Sequence, residues 1–333
     1  MDKKTKGAWI LHHAQKLQTT TSQDFDAIAF AGKCGTLLSA ISASSQAQLP
    51  QSQVNALAKA NNISPRTEVP AILTELERQR LIDRGSGAIE VLGLTTSTVL
   101  EYTSTVFDEA DHENYEDAVI EVSDTASETP LTDAVAKDRM SDEFKMTSSS
   151  AADVIVLATN IGFFDAEAIS EKERLLFNGN LFKRDEAKKI NAVLASLKPS
   201  EAAHLREINE RLHKAGCLPL KAATDVLGEP LFGKLHSIGL FDVSVVGNES
   251  GKNWFVTRPA AFSKFTNSIA DDALDLAKAL VASLTYGMTV SSYYRGRIQI
   301  IDALMRKLIN GGTVGPATAI GSDYQALELK GGR

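Results

Sequence analysis

Two pentapeptides, Ile161-Gly162-Phe163-Phe164-Asp165 and Ile238-Gly239-Leu240-Phe241-Asp242, share one pattern about a small domain apart in the chain. Each follows an apolar helical stretch and opens a strand-like run. The glycine is therefore expected to close the helix in the left-handed conformation, and the aromatic that follows to fold the strand back onto the core. Such recurrence is the most informative feature of the sequence.

The surroundings of the two pentapeptides read alike. Around the later one, His204 to Ala215, Leu220 to Leu227 and Glu229 to Ser237 form three helices, the last with Pro230 in its first turn. A strand then opens at Ile238, turns at Asn248-Glu249-Ser250-Gly251 and returns through Asn253-Trp254-Phe255-Val256-Thr257. Around the earlier one, Thr147 or Ser148 caps a helix through Val154, Ile155, Leu157 and Ala158, and the run from Leu175-Leu176-Phe177 to Leu181-Phe182 supplies the second strand. The same order is found upstream. One helix carries Val54, Leu57 and Ala58 and ends at Asn61-Asn62. A second, capped by Thr67, carries Val69, Ile72, Leu73 and Leu76. Two short strands, Leu81 to Arg84 and Ala88 to Leu92, then flank Gly85-Ser86-Gly87.

With 333 residues, 43% of them hydrophobic and 23% charged, the chain has room for two or three compact units of ordinary globular composition. The fold class expected is mainly α with small β-hairpins, an α+β arrangement of tandem units. Residues 1–50 form an N-terminal helical segment, with helices over Thr5 to Gln18 and Asp24 to Ile41 and a low-complexity linker over Ser42 to Gln53. The units run over 51–107, 131–190 and 191–265. Residues 108–130, acidic and poor in apolar side chains, read as an exposed connector. Residues 266–333 form a C-terminal helical region or part of a fourth unit, with helices over Asp271 to Tyr286 and Arg297 to Ile309 and a short strand over Gln325 to Leu329.

Charge is unevenly spread. Between Asp108 and Glu143 thirteen acids face two bases, a local charge of −11, so that the net charge of −7 leaves +4 for the remainder. That remainder can meet phosphate even though the whole chain is acidic. The apolar stretches, such as Ala277 to Leu284, fall short of a membrane span. Gly7 to Leu11 is too short for a signal-peptide core, so a soluble, cytoplasmic protein is expected. Cys34 and Cys217 are far apart in sequence and read as buried small side chains rather than a disulfide or zinc site.

No catalytic constellation, cofactor motif or metal-ligand spacing is legible, and a non-enzymatic protein is expected. Ala31-Gly32-Lys33-Cys34-Gly35-Thr36 lacks the earlier glycine and the Ser or Thr of a phosphate loop, so it reads as helix packing or a turn. His12 and His13 are adjacent and point apart on a helix, with no third ligand four residues on. Tyr293 and Tyr294, beside Arg295 and Arg297, lack the histidine cluster a strand-cleaving centre needs and read as packing aromatics.

Through this helix-turn-helix-hairpin order, residues 51 to 92, about 131 to 182 and 202 to 258 resemble the winged helix-turn-helix superfamily. The resemblance implies a binding protein, because members of that superfamily bind duplex DNA or dock proteins in larger complexes. It would place Arg66, Thr67, Arg78 and Arg80 near the recognition helix of the first unit and Arg84 on its wing. The second unit would offer Lys145, Ser148 and Ser149, followed by Lys183, Arg184, Lys188 and Lys189. The third would offer Lys221, Thr224, Lys234, Lys252 and Arg258. Two departures weaken base readout: the recognition helices are poor in arginine and the connector is acidic. The expected function is DNA binding, as a regulator or sensor. The alternative is a scaffold or accessory subunit acting through protein partners or self-association.

Overall fold

The computed structural model describes residues 1–20, 24–44, 48–85, 88–92, 96–171, 173–182, 184–248, 251–259, 265, 271–290 and 298–309. The chain divides into two compact units, Met1–Asn178 and Gly179–Arg333. The first holds α1 (Lys3–Leu17), α2 (Asp26–Ser42), β1 (Gln48–Pro50), α3 (Gln51–Ala60), α4 (Val69–Arg78), β2 (Ile82–Arg84), β3 (Ala88–Val91) and α5 (Thr96–Glu109). It continues with α6 (Asn114–Glu128), β4 (Leu131–Thr132), α7 (Asp133–Phe144), α8 (Ser148–Ile161), β5 (Asp165–Ala168) and β6 (Arg174–Phe177). The second holds α9 (Arg184–Ala195), α10 (Pro199–Ala215), β7 (Leu218–Pro219), α11 (Leu220–Leu227) and α12 (Glu229–Ser237). The hairpin β8 (Asp242–Asn248) and β9 (Gly251–Thr257) and the helices α13 (Asp271–Thr289) and α14 (Ile301–Ile309) follow. The fold is mainly α with small antiparallel sheets, as the sequence predicts.

Three segments repeat one order: helix, strand, helix, helix, strand, strand. Each makes a three-stranded antiparallel sheet with the third strand in the middle, in the orders β1-β3-β2, β4-β6-β5 and β7-β9-β8. The same residue offsets build each core. Leu49, Leu131 and Leu218 pair across the sheet with Ile89, Leu176 and Val256. Five and nine positions beyond these leucines stand Val54 and Ala58, Ala136 and Met140, and Ala223 and Leu227, all buried. The following helix presents Val69, Ile72, Leu73 and Leu76 in the first repeat and Ala151, Val154, Ile155 and Ala158 in the second. In the third, Gly228, Leu231, Phe232 and Leu235 take these places, and the three leucine and phenylalanine side chains are buried. This spacing lays one apolar stripe along each helix.

The end of that helix is the same in all three. Gly162 and Gly239 adopt φ of 86° and 78°, as expected of left-handed caps, and Arg80 occupies the matching place in the first repeat at φ 58°. The next amide returns to the carbonyl five residues back, Leu81 to Leu76 at 3.0 Å, Phe163 to Ala158 at 2.9 Å and Leu240 to Leu235 at 3.1 Å. An apolar pair and an aspartate follow each time, so Gln79-Arg80-Leu81-Ile82-Asp83 is the counterpart of the two pentapeptides in the first repeat.

Two sequence expectations are corrected. The linker expected over Ser42 to Gln53 contains β1, an edge strand of the first sheet. The acidic stretch 108–130, expected as an exposed connector, contains α6, the opening helix of the second repeat, with Ala118, Val119, Ile120, Val122 and Ala126 buried. Burial of that apolar stripe stabilises a helix whose acids hide it from a composition-based reading.

In the first unit α1, α2 and α5 pack at close range. A Cβ on Gly7 would lie 1.9 Å from the Leu100 carbonyl oxygen, and one on Gly32 would lie 2.1 Å from Ala14 Cβ. The would-be phosphate loop is thus a helix–helix contact, the packing expected of it. In the second unit Ala282 and Tyr286 of α13 pack with Cys217, Val246 and Phe255, covering one face of the β8–β9 hairpin. No helix among the described residues is long and apolar enough to cross a membrane.

Candidate nucleic-acid interface

The cations expected to meet phosphate fall into very different environments. In the first repeat Arg66 and Thr67 are exposed in the turn before α4, and Arg80 is exposed at the left-handed cap. Arg78 is engaged by two carboxylates, donating to Glu75 at 2.7 Å and to Glu109 at 2.7 Å, which raise its pKa further. Arg84 pairs with Glu77 and reaches Thr74 Oγ1 at 3.3 Å. The arginines closest to the exposed face of α4 are therefore already matched with carboxylates, and residues 26–91 carry six acids and six bases.

The second repeat is more hostile to phosphate. Residues 114–177 hold fourteen acids and five bases, and α8 exposes Asp153, Val156 and Asn160 without a cation. Lys145 is the left-handed C-cap of α7 at φ 56°, and Thr147 caps α8 by accepting from the Ser150 amide at 3.1 Å. Lys183 and the side chain of Arg184 lie outside the described residues, whereas Lys188 and Lys189 are exposed on α9.

Among the described residues, the third repeat gathers exposed cations, a polar rim and an aromatic in one place. An open groove of about 430 Å³ is lined by Lys221 and Thr224 of α11, Glu229 of α12, Lys252, Asn253, Trp254 and Phe255 of β9, and Val290 beyond α13. Trp254 is 46% exposed and sits opposite Val245, itself 50% exposed, in the strand register. The hairpin is long enough to hold them because seven residues of each strand pair, against three and four in the other repeats. Lys252 and Trp254 alternate with Asn253 and Phe255 along β9, and Phe255 is fully buried. Lys234 is exposed on α12 and donates to Ser196 Oγ at 3.0 Å. Arg258, expected on this surface, follows the end of β9 and is only 8% exposed, so it leaves the candidate interface.

Some of the acids that depress the net charge are engaged inside the first unit, whereas Asp111, Glu113, Asp138, Asp142 and Glu143 are exposed. Glu116, 3% exposed, accepts from the Ile28 amide at 2.9 Å and so satisfies the start of α2, whose own N-cap Phe25 has no side-chain acceptor. Burial raises its pKa, with the Ile28 and Ala27 amides working against the rise. Lys6 bridges Asp108 at 2.6 Å and Asp117 at 2.7 Å; burial opposes its charge, but these bonds hold its pKa above the usual lysine value. Trp9 Nε1 donates to Asp124 at 2.8 Å.

His13 is fully buried and stacks on Phe163 with ring centroids 4.0 Å apart. Its Nε2 lies 3.0 Å from Ser123 Oγ, whose hydroxyl donates to the Val119 carbonyl, so Nε2 carries the proton and donates to Ser123. Burial drives the His13 pKa well below its ordinary value, with His12 and Lys16 adding to the fall. Burial and Lys16 bring His12 to about 4. These are packing histidines, and burial likewise pushes the Cys34 and Cys217 thiols up. No group of three metal-ligating side chains occurs among the described residues, and Tyr293 and Tyr294 lie outside them. No family model matches the chain, and no curated protein or solved structure matches it.

Proposed function

We propose that the protein is a non-catalytic, tandem winged-helix protein that binds DNA through its third repeat. The observation that carries this reading is the extended β8–β9 hairpin, which sets Lys252 and Trp254 beside Lys221 on one open groove. The helix-strand-helix-helix-strand-strand order with a central third strand supports the winged-helix assignment. Contact with DNA along all three repeats loses its support, since a repeat with fourteen acids against five bases repels phosphate.

Titrating the full chain with a duplex in low salt tests the reading, and binding that weakens as salt rises is the expected result. Replacing Lys221 and Lys252 together by Ala abolishes it, whereas unchanged binding by that variant would remove the third repeat from the interface.

A protein-docking role is favoured for the second repeat by one observation. Val135 of α7 and Val156 of α8 leave large apolar side chains 45% and 43% exposed on the helices that also bury the core of this repeat. In this reading the first unit is the part that a protein partner engages, and the groove of the third repeat is the part that meets DNA.

A further inference from the structure

Resting on that DNA reading, we propose that the groove of the third repeat takes an unpaired base of single-stranded DNA on the Trp254 ring, with Lys221 and Lys252 holding the flanking phosphates. An intact duplex offers edges and phosphates to a protein but keeps the faces of its bases stacked, so an exposed indole finds no partner there. A single strand offers both, and a base on an aromatic ring with a cation on either side is the general means of holding one. The groove has that composition. Trp254 is 46% exposed, Lys221 and Lys252 stand on the same lining, Asn253 and Thr224 add polar groups, and Glu229 is the one carboxylate among the described lining residues.

The number of cations points the same way. Two lysines neutralise two phosphates, which for a single strand corresponds to a salt slope of about −1.4. So few contacts leave a duplex weakly held, while stacking adds affinity without further charge. The exposed hairpin face is free to do this because α13 covers the opposite one through Ala282 and Tyr286.

The chain itself supplies the probe. Its two tryptophans are Trp9, fully buried, and Trp254, so quenching by a ligand at the groove reports Trp254. The full chain is titrated in low salt with an oligothymidylate of about twelve nucleotides, its duplex with oligoadenylate and a polyglutamate peptide. The expected result is quenching by the single strand with affinity at least about tenfold above the duplex. Trp254→Ala, followed with a labelled oligonucleotide, loses about tenfold or more for the single strand and little for the duplex, and Trp254→Phe recovers part of the loss. Lys252→Ala lowers the salt slope by about 0.7. Equal affinity for the two DNA forms, or no effect of Trp254→Ala, overturns the single-strand proposal and leaves the DNA reading standing. Binding of neither form overturns both, as does tighter binding of polyglutamate, which would make the groove a site for acidic peptides.

Discussion

The second and third repeats share a topology and most of their buried positions, yet the opening helix of one uses its acids to hold the helices before it, and the other extends a hairpin with exposed groups. In the second repeat α6 caps α2 through Glu116, binds Lys6 through Asp117 and accepts from Trp9 through Asp124. In the third, α10 begins with its own capping glutamate, Glu201, and the hairpin extends instead, presenting Lys252 and Trp254. The difference teaches that the shared core specifies how the repeat folds and not what it does. Function has to lie in what each copy adds outside the common offsets.

The largest effect that could break this comparison concerns glycines. Gly7→Ala places a Cβ against the Leu100 backbone, which cannot yield, and is expected to cost about 3 kcal/mol or more. Gly233→Ala on α12, where a Cβ meets nothing within 4 Å, is expected to gain about 0.5–1 kcal/mol. Urea unfolding of the two variants reads both, and similar losses would mean that the third repeat is as tightly covered as the first unit.

Glu116→Ala tests whether the acidic helix is wired inward. It leaves the Ile28 amide without its acceptor and should cost about 1–2 kcal/mol, while Glu116→Gln, which keeps an acceptor, should cost much less. Equal stability of the wild type and the alanine variant in denaturant would return α6 to the role of a surface connector.

Acid sharpens the contrast through His13. The folded state holds this ring neutral while the unfolded chain binds a proton below its ordinary pKa of about 6.5. Stability is therefore unaffected above that value and falls as pH drops below it, by about 1.4 kcal/mol per pH unit. His12 contributes a similar slope down to its pKa of about 4. His112, whose pKa lies above the ordinary value, has the opposite sense: burial opposes its charge, but bonds to Ala110 and Asp117 favour it. Its contribution is complete below 6.5 and is lost as pH rises through the folded pKa, so it leaves the acid slope to the buried pair. Denaturant unfolding at several pH values should show His13→Leu flattening the curve by about 1.4 kcal/mol per unit relative to wild type, and parallel curves would refute the buried neutral histidine.

A smaller effect is expected at the shared cap. Arg80→Gly should stabilise by about 1 kcal/mol, because glycine adopts φ 58° without strain, and Gly239→Ala should destabilise by about the same amount. The smallest change is predicted for Arg78→Ala, which removes a side chain already held by Glu75 and Glu109 and should leave DNA affinity within about twofold.

Helical periodicity and the glycine signature were enough to locate α1 to α4, α8, α10 to α12, the hairpins and the left-handed caps at Gly162 and Gly239, because these depend on neighbours within a few residues, but not α6, α7 or α9. The left-handed Arg80 carries no such local mark, because an arginine does not by itself favour positive φ. β1, β4 and β7 are too short to show alternation and exist through their pairing with a distant strand. Composition likewise could count the carboxylates of residues 108–143 but not see where they point. Their role follows from Lys6, Trp9 and Ile28, which come from far earlier in the chain. The exposed Trp254 is the mirror case. Alternation along β9 puts it on the same face as Lys252, but only the packing of α13 on the other face leaves that pair in solvent. Local spacing governs backbone conformation through short-range sterics and hydrogen bonds, whereas burial and charge pairing depend on residues brought together by folding.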